Sequence, residues 1–260
     1  MILDELAAHA KERVLTAEKR ISLSEIKSYA LSLPESNFYF EESLKENGLS
    51  FICEVKKASP SKGIIDSQFD YLKIAAEYEA AGADCLSCLT EPKWFLGSDE
   101  IFRAIRQTTF LPMLRKDFTV HEYQLYEAKC MGANAVLLIC ALLNTQTIAQ
   151  YLDICHQLGL SALVETHSDA EISSAIDAGA RIIGVNNRNL KDFTVDISNS
   201  ARLRELVPPN VLFVAESGIQ KPEDVTPLYQ FGVNAVLIGE SMMRTDDKKA
   251  LLRAFREAAK

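Results

Sequence analysis

The chain has 260 residues, and 48% of them are hydrophobic, which is enough for one large core within a single domain. Its net charge of −8 excludes a broad basic surface of the kind that binds nucleic acid or an anionic membrane. The longest apolar run, 135–143, has nine residues, far fewer than the roughly 20 that a membrane-spanning helix needs. The start of the chain is acidic and lacks the apolar segment of a signal peptide, so we expect a cytoplasmic protein.

The first 47 residues predict a helical N-terminal extension. Ser22 and Glu25 have the spacing of a capping box, which predicts the start of a second helix. We expect this extension to pack on the rest of one domain that spans residues 1–260. The pattern leaves open whether it only covers one end of that domain or also contributes to a ligand site. Before the capping box, one face of a first helix would carry Ile2, Leu3, Leu6, Ala7, Ala10, Val14 and Leu15.

The rest of the chain repeats one unit, in which a helical stretch is followed by a glycine and then by an apolar run. Each glycine is expected just past a helix end, in the left-handed conformation. The runs are rich in Val, Ile, Leu and Cys, as in strands buried on both faces. Two units without glycine, at 110–118 and 210–218, and an opening strand near 49–56 bring the predicted strands to eight. The repeat glycines are Gly82, Gly132, Gly159, Gly179 and Gly232.

Strands that alternate with helical stretches predict right-handed βαβ units and a parallel sheet. Eight such units favour a closed barrel, so we predict an α/β fold, a (β/α)8 TIM barrel carrying the N-terminal helical extension. The alternative is an open doubly wound sheet, whose usual signatures GxGxxG and GxxxxGK[ST] are absent from the sequence.

Charged residues stand where the predicted strands end, which is where such barrels hold their chemistry. By the period-two alternation of strands, Lys116 shares a face with Leu114, and Glu216 shares one with Val214. If these faces point inward, three glutamates and two lysines converge on one cavity, and we favour this over separate solvated charges. The five residues are Glu54, Lys56, Lys116, Glu165 and Glu216.

Lys116 and Glu165 form the predicted acid–base pair of this cluster. A lysine among apolar neighbours and other cations has its charged form disfavoured, so we expect Lys116 to donate a proton near neutral pH. A glutamate in a dry pocket shifts in the opposite direction and becomes a usable base.

The loops after the last two strands predict a phosphate site, because glycine lets backbone N–H groups approach an anion closely. Ordinary turn chemistry explains each loop equally well when it is taken alone. The residues are Ser217 and Gly218, then Gly239, Glu240 and Ser241, with Ser59 and Lys62 after the first strand.

We expect no metal ion and no cofactor. The six cysteines lie mostly in apolar segments, as small core residues of a reduced protein do. Cys85 and Cys88 have CxxC spacing, but no second pair exists, and the two would face opposite sides of a strand. The four histidines show no metal-ligand spacing and suggest surface or packing roles, although His167 follows Glu165 closely.

The strand ends taken together resemble the indole-3-glycerol-phosphate synthase family of tryptophan biosynthesis. The opening ILDEL and the helical extension also look like this family, so the resemblance covers essentially the whole chain. It implies a carboxy-lyase that needs no cofactor. Such an enzyme closes the ring of 1-(2-carboxyphenylamino)-1-deoxyribulose 5-phosphate with loss of carbon dioxide and water, giving indole-3-glycerol phosphate. The matching stretches are ICEVKKASPSKG, LTEPKWFLGS, PMLRKDF, ALVETH, IIGVNNRNL, VAESGI and LIGESMM.

The resemblance also implies catalytic roles. Lys116 would be the general acid that activates the ribulose carbonyl, and Glu165 would be its acid–base partner in dehydration. Lys56 would pair with the substrate carboxylate, and Glu54 would hold Lys56. The sequence does not decide which of these groups performs each later proton transfer.

The remaining implied roles concern substrate binding. The anthranilate moiety would be positioned by Asn186, Arg188 and Ser217, and the sugar hydroxyls would be bound by Glu216. The aromatic ring would stack on apolar residues at the mouth. These are residues such as Phe118 and Leu137. The phosphate would be held by Ser59, Gly218, Gly239 and the backbone amides that follow, Glu240 included.

Two other interpretations are compatible with a phosphate-binding barrel. A phosphoribosylanthranilate isomerase would share the phosphate loops but would use a Cys/Asp pair instead of lysines on the first and third strands. A catalytically silent barrel would serve as a scaffold in a biosynthetic complex. We expect a monomer that binds a small phosphorylated substrate, either free-standing or associated with or fused to other tryptophan-pathway enzymes, and that binds neither nucleic acid nor a membrane.

Overall fold

Eight parallel strands form a closed barrel in the computed structural model of the chain, which describes residues 2–45, 48–189 and 193–260. Each strand pairs with its neighbours in chain order, and the first strand pairs with the last. This confirms the predicted (β/α)8 TIM barrel and excludes the open sheet. The strands are β1 (Ser50–Val55), β2 (Cys85–Leu89), β3 (Met113–Lys116), β4 (Ala135–Ile139), β5 (Ser161–Thr166), β6 (Ile182–Asn186), β7 (Leu212–Glu216) and β8 (Ala235–Ile238).

Helices precede the barrel and alternate with its strands. Short additions lie in two loops, a 3₁₀ turn at Pro222–Asp224 and an antiparallel pair formed by Ala58–Ser59 and Gly63–Ile64. None of the described helices is long and apolar enough to span a membrane. The helices are α1 (Ile2–Glu18), α2 (Leu23–Ser32), α3 (Tyr39–Ser43), α4 (Tyr71–Ala81), α5 (Asp99–Arg106), α6 (Tyr123–Cys130), α7 (Thr145–Leu158), α8 (Asp169–Asp177), α9 (Ser198–Arg204), α10 (Val225–Gln230), α11 (Glu240–Arg244) and α12 (Lys248–Ala258).

Alternate residues of the strands fill the barrel interior with one apolar cluster. In four strands, the residue two positions after an interior apolar residue, at the carboxyl end of the strand, is charged. These residues are Glu54, Lys116, Glu165 and Glu216. The predicted inward face is therefore confirmed, and the charges form a layer above the apolar interior. The interior cluster includes Ile52, Cys85, Leu114, Leu137, Leu163, Ile182, Val214 and Leu237.

The five glycines of the repeat all have positive φ, as predicted. Gly159 ends α7 with a φ of 67°, and its amide donates to the carbonyl of His156. A Cβ at this position would lie 2.7 Å from the backbone nitrogen of Ser36, in the segment before α3. Glycine is thus required here both by the left-handed conformation and by the close approach of a second segment.

The N-terminal extension is helical, as predicted, and comprises α1, α2 and α3. Leu6 and Val14 of α1 are buried, but the prediction for Leu15 was wrong, because this side chain is 60% exposed. Leu15 directly follows Val14, so the helical rotation of about 100° per residue carries it off the buried face. The predicted capping box opens α2. The predicted end of the extension, at residue 47, lies outside the described residues.

A buried lysine fastens the extension to the barrel helices. The ammonium of Lys129, in α6, donates to the carbonyls of Pro34 and Leu158, at 2.6 and 2.8 Å, and to the hydroxyl of Ser36, at 2.8 Å. Burial lowers the pKa of Lys129, since these three partners are neutral. The segment between α2 and α3 is thereby held against the ends of α6 and α7.

The six cysteines are free thiols, four of them buried and two partly buried. Cys85 belongs to the interior cluster and Cys88 to the cluster between strands and helices, so the CxxC residues face opposite sides, as predicted. Burial raises the pKa of Cys53 and of Cys155 to about 12. Across the described ranges, no three His, Cys, Asp or Glu side chains are arranged to hold a metal ion.

Candidate active site

A cavity of about 170 Å³ opens at the carboxyl ends of the strands. The structure brings twelve predicted site residues together on its walls, although they come from the ends of six strands and the loops that follow. Ser241, also predicted for the phosphate site, does not line the cavity. Phe118 and Leu137, predicted to stack on an aromatic ring, also line the cavity. The predicted site residues there are Glu54, Lys56, Ser59, Lys116, Glu165, Asn186, Arg188, Glu216, Ser217, Gly218, Gly239 and Glu240.

Lys116 lies at the centre of the charged layer. Its Nζ donates to Oε2 of Glu165 at 3.0 Å and to Oε2 of Glu216 at 2.9 Å. The Oε1 atom of Glu216 is buried and makes no hydrogen bond to any residue that the structure describes. This atom occupies space left by Gly184 on the adjacent strand, where a Cβ would collide with it. One ammonium thus bridges two carboxylates, and one buried oxygen of Glu216 is left without a hydrogen bond among the described residues.

The carboxylates of this layer have divergent pKa values. Burial raises the pKa of Glu216 to about 7, and repulsion by Glu165 contributes, while Lys116 acts against both. Burial also acts to raise the pKa of Glu165, but attraction by Lys116 and His167 outweighs it, so this pKa is lowered. His167 lies behind Glu165, with Nε2 3.6 Å from Oε1 of the carboxylate. Glu165 is therefore held ionised, whereas Glu216 gains a proton near neutral pH.

The expected lowering of the Lys116 pKa was wrong. Burial acts in that direction, but the attraction of Glu165 and Glu216 exceeds it, and the pKa is raised. The prediction assumed other cations as the dominant neighbours, whereas the nearest charged groups are anions. The predicted upward shift of a glutamate occurs at Glu216 and not at Glu165.

Glu54 and Lys56, at the end of β1, form a tight ion pair beside this centre. A Cβ on Gly239 would lie 2.5 Å from Oε2 of Glu54 and 2.9 Å from Nζ of Lys56. Glycine therefore allows the backbone after β8 to approach this ion pair closely. The buried strand β1 thus ends in opposite charges that both face the shared cavity.

The loop after β7 turns sharply at the cavity wall. Ser217 and Gly218 have φ values of 66° and 87°, and such a conformation is uncommon for a serine. At the end of the adjacent strand β6, Oδ1 of Asn186 accepts from the backbone N–H of Arg188 at 3.0 Å. Nη1 of Arg188 donates to the carbonyl of Phe193 at 3.2 Å.

Glu240 lies at the rim with its side chain engaged by two cations. Its Oε1 lies 3.5 Å from Nζ of Lys62 and 3.1 Å from Nε of Arg244. The predicted binding contribution at this position can therefore come from the backbone more readily than from the carboxylate.

The apolar wall includes residues that the sequence did not single out. Phe95, in the loop after β2, packs on Phe118 with ring centroids 6.0 Å apart. Leu6 and Ile2 of α1 line the same cavity. The extension therefore contributes to the site and is more than a cover. Its apolar face was readable in the sequence, but the place where that face docks was not.

Two polar residues of α1, one helical turn apart, fasten it to the loops that carry these aromatic rings. Arg13 donates to both carboxylate oxygens of Asp117, at 3.0 and 2.6 Å. His9 contacts Glu91 at 3.1 Å, and the buried carboxylate of Glu91 also accepts from the backbone N–H of Phe95. α1 thus fixes the loops after β2 and β3 relative to each other.

Comparison with known proteins identifies the family. The family model described as indole-3-glycerol phosphate synthase matches residues 3–255. The chain belongs to the indole-3-glycerol phosphate synthase family. It is accordingly an enzyme, a carbon–carbon lyase of the carboxy-lyase class in tryptophan biosynthesis, as the sequence predicted.

Individual relatives match this chain over all or nearly all of its length. An indole-3-glycerol phosphate synthase from Ruminiclostridium cellulolyticum is 54% identical over 260 residues, which is 100% of both chains. One from Lachnoclostridium phytofermentans is 45% identical and covers 97% of this chain and 98% of its own. One from Lacticaseibacillus casei is 48% identical over 100% of both chains. The family assignment favours the synthase over the isomerase alternative.

Solved structures share the fold at low sequence identity. The 3-hexulose-6-phosphate synthase from Salmonella typhimurium has a TM-score of 0.66 at 13% identity, covering 81% of this chain and 98% of its own. The thiamine phosphate pyrophosphorylase from Pyrococcus furiosus has a TM-score of 0.62 at 16% identity, covering 85% of this chain and 97% of its own. These similarities support the barrel and carry no argument about substrate.

Proposed function

We propose that the chain converts 1-(2-carboxyphenylamino)-1-deoxyribulose 5-phosphate to indole-3-glycerol phosphate, closing a ring and releasing carbon dioxide and water. The observation that carries the proposal is the ammonium of Lys116 between two buried carboxylates, in a cavity whose wall also carries Lys56. The family assignment supports the same reaction.

Lys116 is the proposed general acid. Its raised pKa keeps it an ammonium at neutral pH, able to hydrogen-bond the ribulose carbonyl oxygen. As the ring carbon that bears the carboxylate attacks the carbonyl carbon, the C=O double bond becomes a C–O single bond, and its oxygen takes a proton from Lys116. The buried setting strengthens the attraction between the ammonium and the charge that develops on this oxygen.

Glu165 is the proposed acid–base partner. Decarboxylation leaves the bonding electrons on the ring and restores its aromaticity. Loss of water then needs one proton on the departing hydroxyl and the removal of another from the adjacent carbon. Glu165 suits the second task because its lowered pKa keeps it ionised, 3.0 Å from the Lys116 ammonium.

Charged and polar groups around this centre are proposed to orient the substrate. Lys56 pairs with the substrate carboxylate in place of Glu54, which then accepts hydrogen bonds from the substrate. Glu216 binds the sugar hydroxyls, and its pKa of about 7 lets it donate or accept. The aromatic moiety is positioned by Asn186, Arg188 and Ser217 and packs against Phe118 and Leu137.

The phosphate is proposed to bind at the loops after β1, β7 and β8. The hydroxyl of Ser59 donates from one side, and the backbone around Gly218 and Gly239 approaches from the other. Glu240 contributes its backbone N–H, since its carboxylate would repel an anion and is already engaged by Lys62.

The same proposal covers the organisation of the chain. We propose that residues 1–260 act as one domain, because α1 lines the cavity and is fastened to two barrel loops. We also propose that it works as a monomer in the cytoplasm, alone or joined to other enzymes of its pathway. Size-exclusion chromatography with light scattering tests the monomer, and a dimer mass would contradict it.

Turnover of the substrate by purified protein tests the proposed reaction. Anthranilate-type fluorescence should fall as indole absorbance rises. Lys116→Ala should lose roughly 10²- to 10⁴-fold in kcat, the usual worth of a positioned acid, while substrate still binds. Glu165→Gln should lower kcat more than it raises KM.

The matched control is Lys45→Ala, which removes a partly exposed lysine from an ion pair at α3. This variant should keep the activity of the parent protein. Circular dichroism of each variant separates loss of chemistry from loss of fold. Normal turnover by a folded Lys116→Ala variant would reject the assignment.

A further inference from the structure

His167 connects the charged layer to the outside of the barrel. It lies two residues before α8, whose Glu171 accepts both the backbone N–H of His167, at 2.7 Å, and its Nδ1–H, at 3.2 Å. On the other side of the ring, Nε2 lies 3.6 Å from Oε1 of Glu165. The exposed fraction of the side chains rises outward, from 4% for Glu165 to 18% for His167 and 25% for Glu171.

The contacts of the ring indicate where its protons lie. An ionised carboxylate only accepts hydrogen bonds, so Glu171 requires a proton on Nδ1. A neutral ring would then present the lone pair of Nε2 to the carboxylate of Glu165, which is electrostatically unfavourable. A proton on Nε2 turns this repulsion into attraction across the 3.6 Å that separates Nε2 from Oε1. Nε2 is buried and makes no hydrogen bond to another residue in the described ranges, so this position is not taken by a competing protein group.

The charged groups around His167 also favour a proton on Nε2. Burial lowers the pKa of His167, but the carboxylates around it exceed this effect, and the pKa is raised. Glu171 faces the ring from α8, Glu165 from β5 and Glu216 from β7. The other groups nearby are Lys116, on the far oxygen of Glu165, the thiol of Cys140, which contacts the backbone of Glu171, and the amide of Asn199, which contacts the backbone of His167.

The reaction itself requires a proton from solvent. The ionised carboxyl group of the substrate leaves as carbon dioxide, so it takes no proton with it. The carbonyl oxygen leaves as water after accepting two protons, and only one proton returns, from the carbon next to the departing hydroxyl. Each cycle therefore consumes one proton, which must reach the layer formed by Lys116 and two glutamates.

We propose that His167, held by Glu171, is the positioning residue through which solvent protons reach Glu165 and, through it, Lys116. The inference rests on the proposed function, because the proton demand follows from that reaction. In each cycle Nε2–H closes the 3.6 Å gap to Glu165 Oε1 and passes its proton to it, and Nε2, then the only ring nitrogen without a proton, regains one from water when the side chain turns outward. No oxidant, reductant or further reactant is involved.

The kinetic test compares His167→Gln with the parent protein between about pH 5.5 and 9. Glutamine keeps a donor toward Glu171 but cannot ionise. We expect kcat to fall on the order of tenfold to a hundredfold, with KM within about twofold, since no substrate contact is lost. The parent kcat should decline as pH rises through the pKa of His167, and the variant should lack this decline. Added imidazole should partly restore kcat in His167→Ala.

His156→Gln is the matched control, because His156 stacks on Phe38 in the extension and contacts Arg181, outside the cavity wall. It should leave both kcat and its pH dependence unchanged. An unchanged kcat and pH profile in His167→Gln would overturn the proposal. A loss of kcat with the parent pH profile and no response to imidazole would show that His167 has only a structural role.

A titration separates this inference from the proposed reaction. By NMR, the pKa of His167 should shift downward in Glu165→Gln. This readout does not need turnover, so an absent shift contradicts the His167–Glu165 proton pair even if the enzyme is active. Conversely, normal turnover in Lys116→Ala would reject the proposed acid while the titration result stands.

Discussion

Replacing Lys116 with methionine should make the free energy of unfolding strongly dependent on pH. Methionine occupies a similar volume but leaves Glu165 and Glu216, which are 4% and 2% exposed, without their bridging cation. Removing one member of a buried ion pair costs about 3–5 kcal/mol when the remaining charge cannot be neutralised. Here the remaining charge can take up a proton, so the cost depends on pH.

The sign follows from the direction of the shift. Without Lys116, a carboxylate pKa in the folded state rises above its unfolded value, so the added stability exists at low pH and is lost as pH rises through the folded pKa. One extra bound proton gives a slope of about 1.4 kcal/mol per pH unit. The parent protein already shows part of this slope, because Glu216 has a pKa of about 7 in the folded state. The stability of the parent therefore falls between the ordinary pKa of a glutamate and about pH 7. From near pH 6 to near pH 8, the variant should therefore lose on the order of 1–2 kcal/mol more than the parent.

Urea unfolding followed by circular dichroism at the two pH values measures this difference. The double variant Lys116→Met/Glu216→Gln is the matched control, because it removes the carboxylate that would take up the proton. It should recover much of the stability near pH 8 and lose the extra slope. A Lys116→Met variant destabilised equally at both pH values would refute the account of the charged layer.

Two further predictions concern the N-terminal extension. Arg13→Met removes the two hydrogen bonds that Arg13 donates to the buried carboxylate of Asp117, and it should raise KM several-fold by releasing α1 from the cavity wall. The KM of Arg13→Lys should lie between those of the parent protein and Arg13→Met. Steady-state kinetics measure this, and an unchanged KM would contradict the role assigned to α1. Gly159→Ala should lower the free energy of unfolding by about 2–3 kcal/mol, because the new methyl group adds a steric contact to the strain of the left-handed conformation. Gly179→Ala is the control, because Gly179 has a φ of 86° but open space around it, and its free energy of unfolding should fall by only about 1 kcal/mol. Urea midpoints compare the two, and equal losses would disprove the contact.

The barrel was predictable because its signals are local. A glycine past each helix and a run of Val, Ile and Leu mark the units, and the two strands that lack the glycine still carry the apolar run. The inward face also followed from alternation, since Lys116 is two residues from Leu114 and Glu216 two from Val214. These rules act over a few residues and need no knowledge of the tertiary structure.

The electrostatics of the site were predicted less well, because they depend on distances between strands. Lys116 meets carboxylates that lie 49 and 100 residues away in the chain, and their proximity reverses the expected direction of its pKa shift. The position of α1 on the barrel could not be predicted for the same reason. Its apolar face was evident in the sequence, but Arg13 and Asp117 are 104 residues apart, and no local sequence pattern predicts that they pair.

The burial of the cysteines has a practical consequence for labelling. A thiol with a pKa of about 12, as at Cys53 and Cys155, is a thiolate in only about one molecule in 10⁵ at neutral pH, against a few per cent for an ordinary cysteine. Maleimides and other electrophiles attack the thiolate, so these native positions should react very slowly. A fluorophore or spin label attached to a cysteine newly introduced at the rim would therefore report on ligand entry without prior removal of these thiols.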